Sequence, residues 1–200
     1  MKKVILFVLM LNFIGCSSDD DHEANIDYSY FLNSTQPQFK GKINDTQLFW
    51  DSKSNKYLVN SSYIFPNGDS EDPNRFLRFV LFEDNGNNEI VVTAPIYDTS
   101  SEIEFEEVFG IGVKKIGDLN SNFHIRILKN DRDYEICNSD ANYNIEILKT
   151  EEIISMSTQP SILKVWFKID NIKLNNCNPD TNDELNNGLV IAQFIGYRKY

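Results

Sequence analysis

From position 38 onward, apolar and polar residues alternate with a period of two in short runs separated by clusters of Asn, Asp, Gly and Pro. Runs of this kind predict strands. They fall at 39–43, 46–50, 57–65, 76–83, 90–93, 103–109, 123–128, 143–148, 162–174 and 189–197. Because successive side chains of a strand point to opposite sides, the same alternation assigns faces. Val165, Phe167 and Ile169 share one side of their run, and Lys164, Trp166, Lys168 and Asp170 share the other. Phe123, Ile125 and Ile127 alternate with His124 and Arg126, and Ile103 and Phe105 with Glu102, Glu104 and Glu106. Only 151–157 suggests a short helix, against its β-branched content.

About ten one-sided strands in a chain of this length predict an all-β domain of two antiparallel sheets packed face to face, with a β-barrel as the alternative. The Asn85-Gly86 pair between two apolar runs marks a tight hairpin, and Asn44-Asp45 marks a similar turn. No fixed-period repeat is visible, which argues against a propeller or solenoid.

The first residues follow a different pattern. Lys2 and Lys3 precede an apolar run from Val4 to Ile14, interrupted only by Asn12, and Gly15-Cys16 closes it. A bilayer span needs about 20 apolar residues, so this run reads as a leader and not as a transmembrane helix. The segment resembles a bacterial lipoprotein lipobox, with Phe13 where leucine is more usual. That resemblance implies cleavage before Cys16 and acylation of its thiol with diglyceride and palmitate. Cleavage would remove 15 of the 200 residues and leave 185, enough for a single core-bearing domain. The expected organisation is a signal peptide at 1–15, a lipidated cysteine and flexible tether at 16–37, and one all-β domain at 38–200.

Ser17, Ser18, Asp19, Asp20, Asp21, His22 and Glu23 follow the cysteine, a polar run that cannot pack a core. Cys-Ser-Ser-Asp-Asp-Asp looks like the export signal of Bacteroidota-type surface lipoproteins. It implies an outer-membrane protein facing the cell exterior, a periplasm-facing orientation being the alternative. Losing Lys2 and Lys3 lowers the basic count from 19 to 17 against 30 acidic residues, a formal charge of −13. Such a chain is a poor partner for nucleic acid and is repelled by anionic headgroups, so membrane attachment is expected through acyl chains alone.

Assigning Cys16 to lipid leaves Cys137 and Cys177, a pair expected to form a disulfide, with two free buried thiols as the alternative. Closing that loop would contribute roughly 4 kcal/mol through chain entropy.

Candidate chemistry is sparse. His124 is the one histidine outside the tether, and no Gly-x-Ser-x-Gly elbow accompanies it, so no catalytic residue is assigned. Glu102, Glu104 and Glu106, placed on a strand, would stand roughly 7 Å apart, the separation an inverting glycosidase uses, although any solvated acidic strand would show it. A carboxylate-dependent hydrolase is therefore kept as an alternative function. Asp180, Asp183 and Glu184 are the candidate calcium ligands of an oxygen-rich loop that lacks EF-hand spacing, and a plain polar loop is preferred. Asp69, Glu71 and Asp72 form a second acidic loop. Zinc is not expected, nor is any cofactor, and Gly110 and Gly112 fail the dinucleotide fingerprint and read as a bend or bulge. Parity places Trp166 on a polar face between Lys164 and Lys168, where an exposed indole would offer a platform to a sugar ring or a partner side chain unless a loop covers it.

The domain opens with Phe39-Lys40-Gly41-Lys42-Ile43-Asn44-Asp45 and Trp50, and closes with Asn187-Gly188-Leu189-Val190-Ile191-Ala192-Gln193-Phe194. These stretches resemble small β-sandwich lipoprotein domains of Bacteroidota. The resemblance implies the fold and the envelope location without an activity. Together these features predict a non-enzymatic, lipid-anchored sandwich that acts as a binding or accessory module for a glycan or an envelope protein. A structural or immunity-type component without a small ligand is the further alternative.

Overall fold

The computed structural model describes residues 28–118, 120–130, 132–135, 143–154, 160–169, 171–174 and 183–198. They comprise α1 (Ser29–Asn33), β1 (Gln38–Ile43), β2 (Thr46–Asp51), β3 (Tyr57–Ile64), β4 (Asn74–Glu83), β5 (Asn88–Thr93), β6 (Tyr97–Asp98), α2 (Glu102–Phe109), β7 (Gly112–Ile116), β8 (His124–Lys129), β9 (Arg132–Glu135), β10 (Tyr143–Ile153), β11 (Ile162–Ile169), β12 (Ile172–Leu174) and β13 (Asp183–Ile195). One sheet runs β2-β1-β13-β11-β10-β7, with β12 also paired to β13. The other runs β3-β4-β5-β8-β9, with β6 paired to β4. The strand pairings within both are antiparallel, and no barrel closes among the described residues, so the two-sheet sandwich is the fold.

The dry faces meet as parity requires. Phe39, Trp50, Leu77, Phe79, Ile90, Ile125, Ile147, Val165, Phe167 and Phe194 lie in one core. At its centre the Phe194 ring lies 6.5 Å from those of Phe79 and Phe167 and 5.6 Å from Phe109, so one side chain joins both sheets to α2. Aromatic rings at these separations add to the area they bury.

The run read as a strand at 103–109 is instead the helix α2. Strand alternation would have turned Glu107 inward beside Phe105, whereas helical spacing puts Phe105 and Phe109 on one buried face and leaves Ile103 74% exposed. Ser101 caps the helix by accepting from the Glu104 amide at 3.2 Å, and the Glu104 carboxylate reaches back to the Asp98 amide at 2.7 Å. Gly110 caps its other end in a bend, as one of the two expected readings had it, and Gly112 opens β7 at φ +126, so neither glycine is a strand bulge.

Other boundaries also differ from expectation. The run expected at 162–174 divides into β11 and β12 at a break containing Asn171, whose φ is +42. The short helix expected at 151–157 is replaced, over its described part, by the end of β10, whose Glu151, Glu152 and Ile153 pair with β11. Strands β7 and β9 escaped the pattern reading because each is short, β9 being mostly polar and β7 holding a Lys-Lys pair that breaks its alternation. The Asn85-Gly86 turn does join β4 to β5, but through residues 84–87 with only Gly86 at positive φ.

Beside that turn, Glu83 accepts from Asn88 and receives the Lys56 ammonium at 2.6 Å. The hydrogen bond from Lys56 holds its carboxyl below the ordinary carboxylate range, against the opposing effect of burial. A lowered folded-state pKa means stability that is present above the unfolded value and lost as pH falls through the folded one. Urea denaturation should therefore show wild-type stability decreasing between about pH 5 and pH 3, with a smaller decrease for Glu83→Gln. Equal pH dependence of the two proteins would contradict this assignment.

Candidate functional site

The outer face of the first sheet carries the residues singled out as a possible binding surface. Lys164, Trp166 and Lys168 do lie together on it, as parity requires. The indole, however, is not an exposed platform, because Trp166 is 0% exposed. Tyr28, Phe31 and Leu32, from α1 and its N-cap, cover it, and together with Leu148, Leu189 and Ile191 they form a second apolar cluster. Its ring nitrogen donates to the carbonyls of Phe31 and Ser34, both at 3.2 Å. The Lys149 ammonium sits 4.3 Å from its ring centroid, and Lys164 donates to the Thr35 carbonyl at 2.8 Å. Residues 28–37, counted above as tether, thus pack on the sheet. The sequence signal was available in Tyr28, Phe31 and Leu32, whose i, i+3, i+4 spacing places them on one side of a helical turn.

Next to α1 the sheet is locally irregular. Lys40 pairs with Leu189 and Lys42 with Asn186, so β13 carries one extra residue opposite Gly41. The bulge falls at Asn187-Gly188, and Asn187 has φ +52. It also explains a change of parity along β13. Leu185 and Val190 both face the core although five positions separate them, which an uninterrupted strand forbids. At the bulge lies a pocket of about 240 Å³ rimmed by Lys40, Lys42, Lys168, Gln47 and Asn187, with Tyr28 as a wall. Lys42 bridges Asp45 at 3.2 Å, and Lys168 lies 5.9 Å from the centroid of the Tyr28 ring.

A larger, shallower cleft of about 530 Å³ runs between α2 and β7, lined by Tyr97, Glu104, Glu107, Lys114 and Asn122 among others. Lys114 donates to the Glu107 carbonyl at 2.6 Å, and burial lowers its pKa against the opposing pull of Glu106 and Glu107. The helix removes the strand spacing on which a Glu102, Glu104 and Glu106 pairing was based. Glu102 is bonded to Arg198 and Glu104 to the Asp98 amide, so two of the three already have structural partners.

The remaining candidates are dispersed. His124 is half-buried on the outer face of the second sheet, paired across strands with Thr93. Asp183 accepts from the Asn44 side chain, and the Glu184 amide donates to Asn44 at 2.9 Å, so both help to fasten β13 to the first turn. Asp180, Cys16, Cys137 and Cys177 lie outside the described residues. Among the described residues no three His, Cys, Asp or Glu side chains converge as metal ligands. In the second acidic loop, Asp69 accepts from the Glu71 amide and Asp72 from the Asn74 amide, both as turn contacts. Comparison with family models, with curated proteins and with solved structures finds no match for this chain.

Proposed function

We propose that this chain is a lipid-anchored envelope lipoprotein that displays its β-sandwich at the cell surface as a binding or accessory module for a glycan or an envelope protein. The observation that supports this reading most directly is the sequence Gly15-Cys16-Ser17-Ser18-Asp19-Asp20-Asp21, followed at Tyr28 by a chain docked on the sandwich. The 12 residues at 16–27 separate the acylation point from that docking site. Fully extended, they span at most about 40 Å. The module would then project a short distance from the bilayer and be held at α1. The acids of the tether suit this role because they remain hydrated and are repelled by an anionic membrane surface.

Cys16→Ser should release the protein, leader uncut, into aqueous fractions, as read by fractionation and intact mass. Membrane retention with normal processing would overturn the anchor. Protease added to intact cells should degrade the wild-type protein, whereas protection until the outer membrane is opened would favour a periplasm-facing orientation.

A further inference from the structure

We propose that the start of β4, at the open end of the sandwich, binds a small monocarboxylate with an apolar body, the acid group being taken by the Arg75 guanidinium. Arg75 shares the inward side of β4 with Leu77, Phe79 and Leu81. Tyr63 and Phe65, from the end of β3 and just beyond it, and Gly196, just past β13, stand around its side chain. At 7% exposure it is the most buried arginine among the described residues. Of its five N–H donors, one meets a protein acceptor there: Nη1 donates to the Gly196 carbonyl at 3.3 Å. The buried Nε has no partner.

Two other arginines show how this fold ordinarily treats a guanidinium. Arg126 is matched by Asp133 and Glu89, and Arg198 by Glu102 and Glu152, although their side chains are 35% and 24% exposed. Arg75 forms no ion pair among the described residues. Its register neighbour Tyr97 supplies no counter-charge, because burial pushes the phenol pKa up against the pull of Arg75, and the hydroxyl donates to the Tyr197 carbonyl. The Tyr63 and Phe65 rings, with centroids 5.0 and 5.2 Å from the guanidinium carbon, attract the cation but carry no net charge. Taking a cation out of water is costly unless an anion is paired with it, so the geometry points to a ligand that brings one.

The donors and their surroundings select that ligand. Nε–H and the neighbouring Nη2–H run parallel along one edge of the guanidinium plane, the fork that receives both oxygens of one carboxylate. A strongly hydrated dianion such as phosphate would give up its water for a single cation beside aromatic rings. A monocarboxylate is neutralised by that cation and rests its apolar body on Tyr63 and Phe65. Entry is past Tyr63, which is 42% exposed at the end of β3 and turns outward to open the fork. The backbone fits closely against this ring: a Cβ on residue 196, whose φ is +65, would lie 2.8 Å from it, so glycine is what lets the carbonyl holding Nη1 come this near. The inference goes beyond surface display and does not rest on it.

The test is calorimetric titration of the full-length protein in detergent with phenylacetate, with neutral phenylacetamide and inorganic phosphate as comparison ligands. Phenylacetate should bind saturably and raise the melting temperature, and the other two should each bind at least about tenfold more weakly. Arg75→Met should remove saturable binding. Arg75→Lys, which keeps the charge but not the fork, should weaken it by about tenfold, and Arg78→Gln, on the outward side of the same strand, should leave it unchanged. Without ligand, Arg75→Met should melt no lower than the wild type, since methionine needs no counter-charge. No saturable phenylacetate binding, undiminished binding by Arg75→Met, or a melting temperature of that variant well below wild type would overturn the site. Phenylacetamide binding as tightly as phenylacetate would overturn the role of the charge, and phosphate doing so would overturn the carboxylate assignment. None of these outcomes bears on Cys16 processing, so failure here and failure of surface display are separable.

Discussion

Trp166→Ala is expected to lower the unfolding free energy by about 4 kcal/mol, the middle of the range for removing a buried aromatic side chain. The indole is fully buried, it is the largest member of the second apolar cluster, and its N–H holds two carbonyls at the end of α1. Its loss would leave a cavity between Phe31, Leu189 and Ile191, and α1 is too short to persist without that contact. The variant should therefore also become sensitive to limited proteolysis within residues 28–37 before the sandwich itself unfolds. Trp166→Phe, which keeps much of the apolar area but loses the donor, is expected to cost only roughly 1–2 kcal/mol. Urea denaturation and timed proteolysis measure both effects. A loss below about 1 kcal/mol for the alanine variant would show that α1 does not seal this face.

Phe194→Ala should be comparably severe, at about 3–5 kcal/mol, because the ring packs against both sheets and α2 at once. Its neighbours belong to β4, β11 and α2, so no single element can move into the vacated space without breaking its own pairing. A cavity that cannot collapse sits at the costly end of the range. Phe49→Ala serves as the comparison, since the Phe49 ring is 55% exposed on β2, at the edge of its sheet. It should change stability by less than about 0.5 kcal/mol. Chemical denaturation of the two variants side by side tests whether the aromatic centre, and not aromatic content as such, holds the sandwich together.

The two residues also illustrate how far a linear pattern can be read. The inward position of Val165 and Phe167 followed directly from alternation, as did that of Ile125 and Ile127, which lie in the same core. The outward position of Trp166 also followed, yet its exposure did not, because burial on an outer face depends on what a distant segment places there. The hydrogen-bond acceptors of the Trp166 indole lie 132 and 135 positions away along the chain. Helix α2 was misread for a different reason. Its alternating acids imitate a strand over the first few residues, and only the capping pair Ser101 and Glu104 with Phe105, Val108 and Phe109 distinguishes the helix.

The lysine pocket lies between these cases. Lys40 and Lys42 share a face by simple parity, but bringing Lys168 beside them requires knowing that the final strand inserts between the first strand and β11. Parity on β13 itself fails at Asn187, where one extra residue shifts every following side chain to the opposite face. A bulge is set by the register between two strands, and neither strand carries that information alone.

Local chemistry, then, was enough to specify the all-β class and the dry face of most strands, because each depends on residues a few positions apart. The pairing of β1 with β13, the seal over Trp166 and the convergence of three lysines arose only when segments more than a hundred residues apart came into contact, since long-range pairing is selected by the packing of the whole core and not by any one stretch of chain.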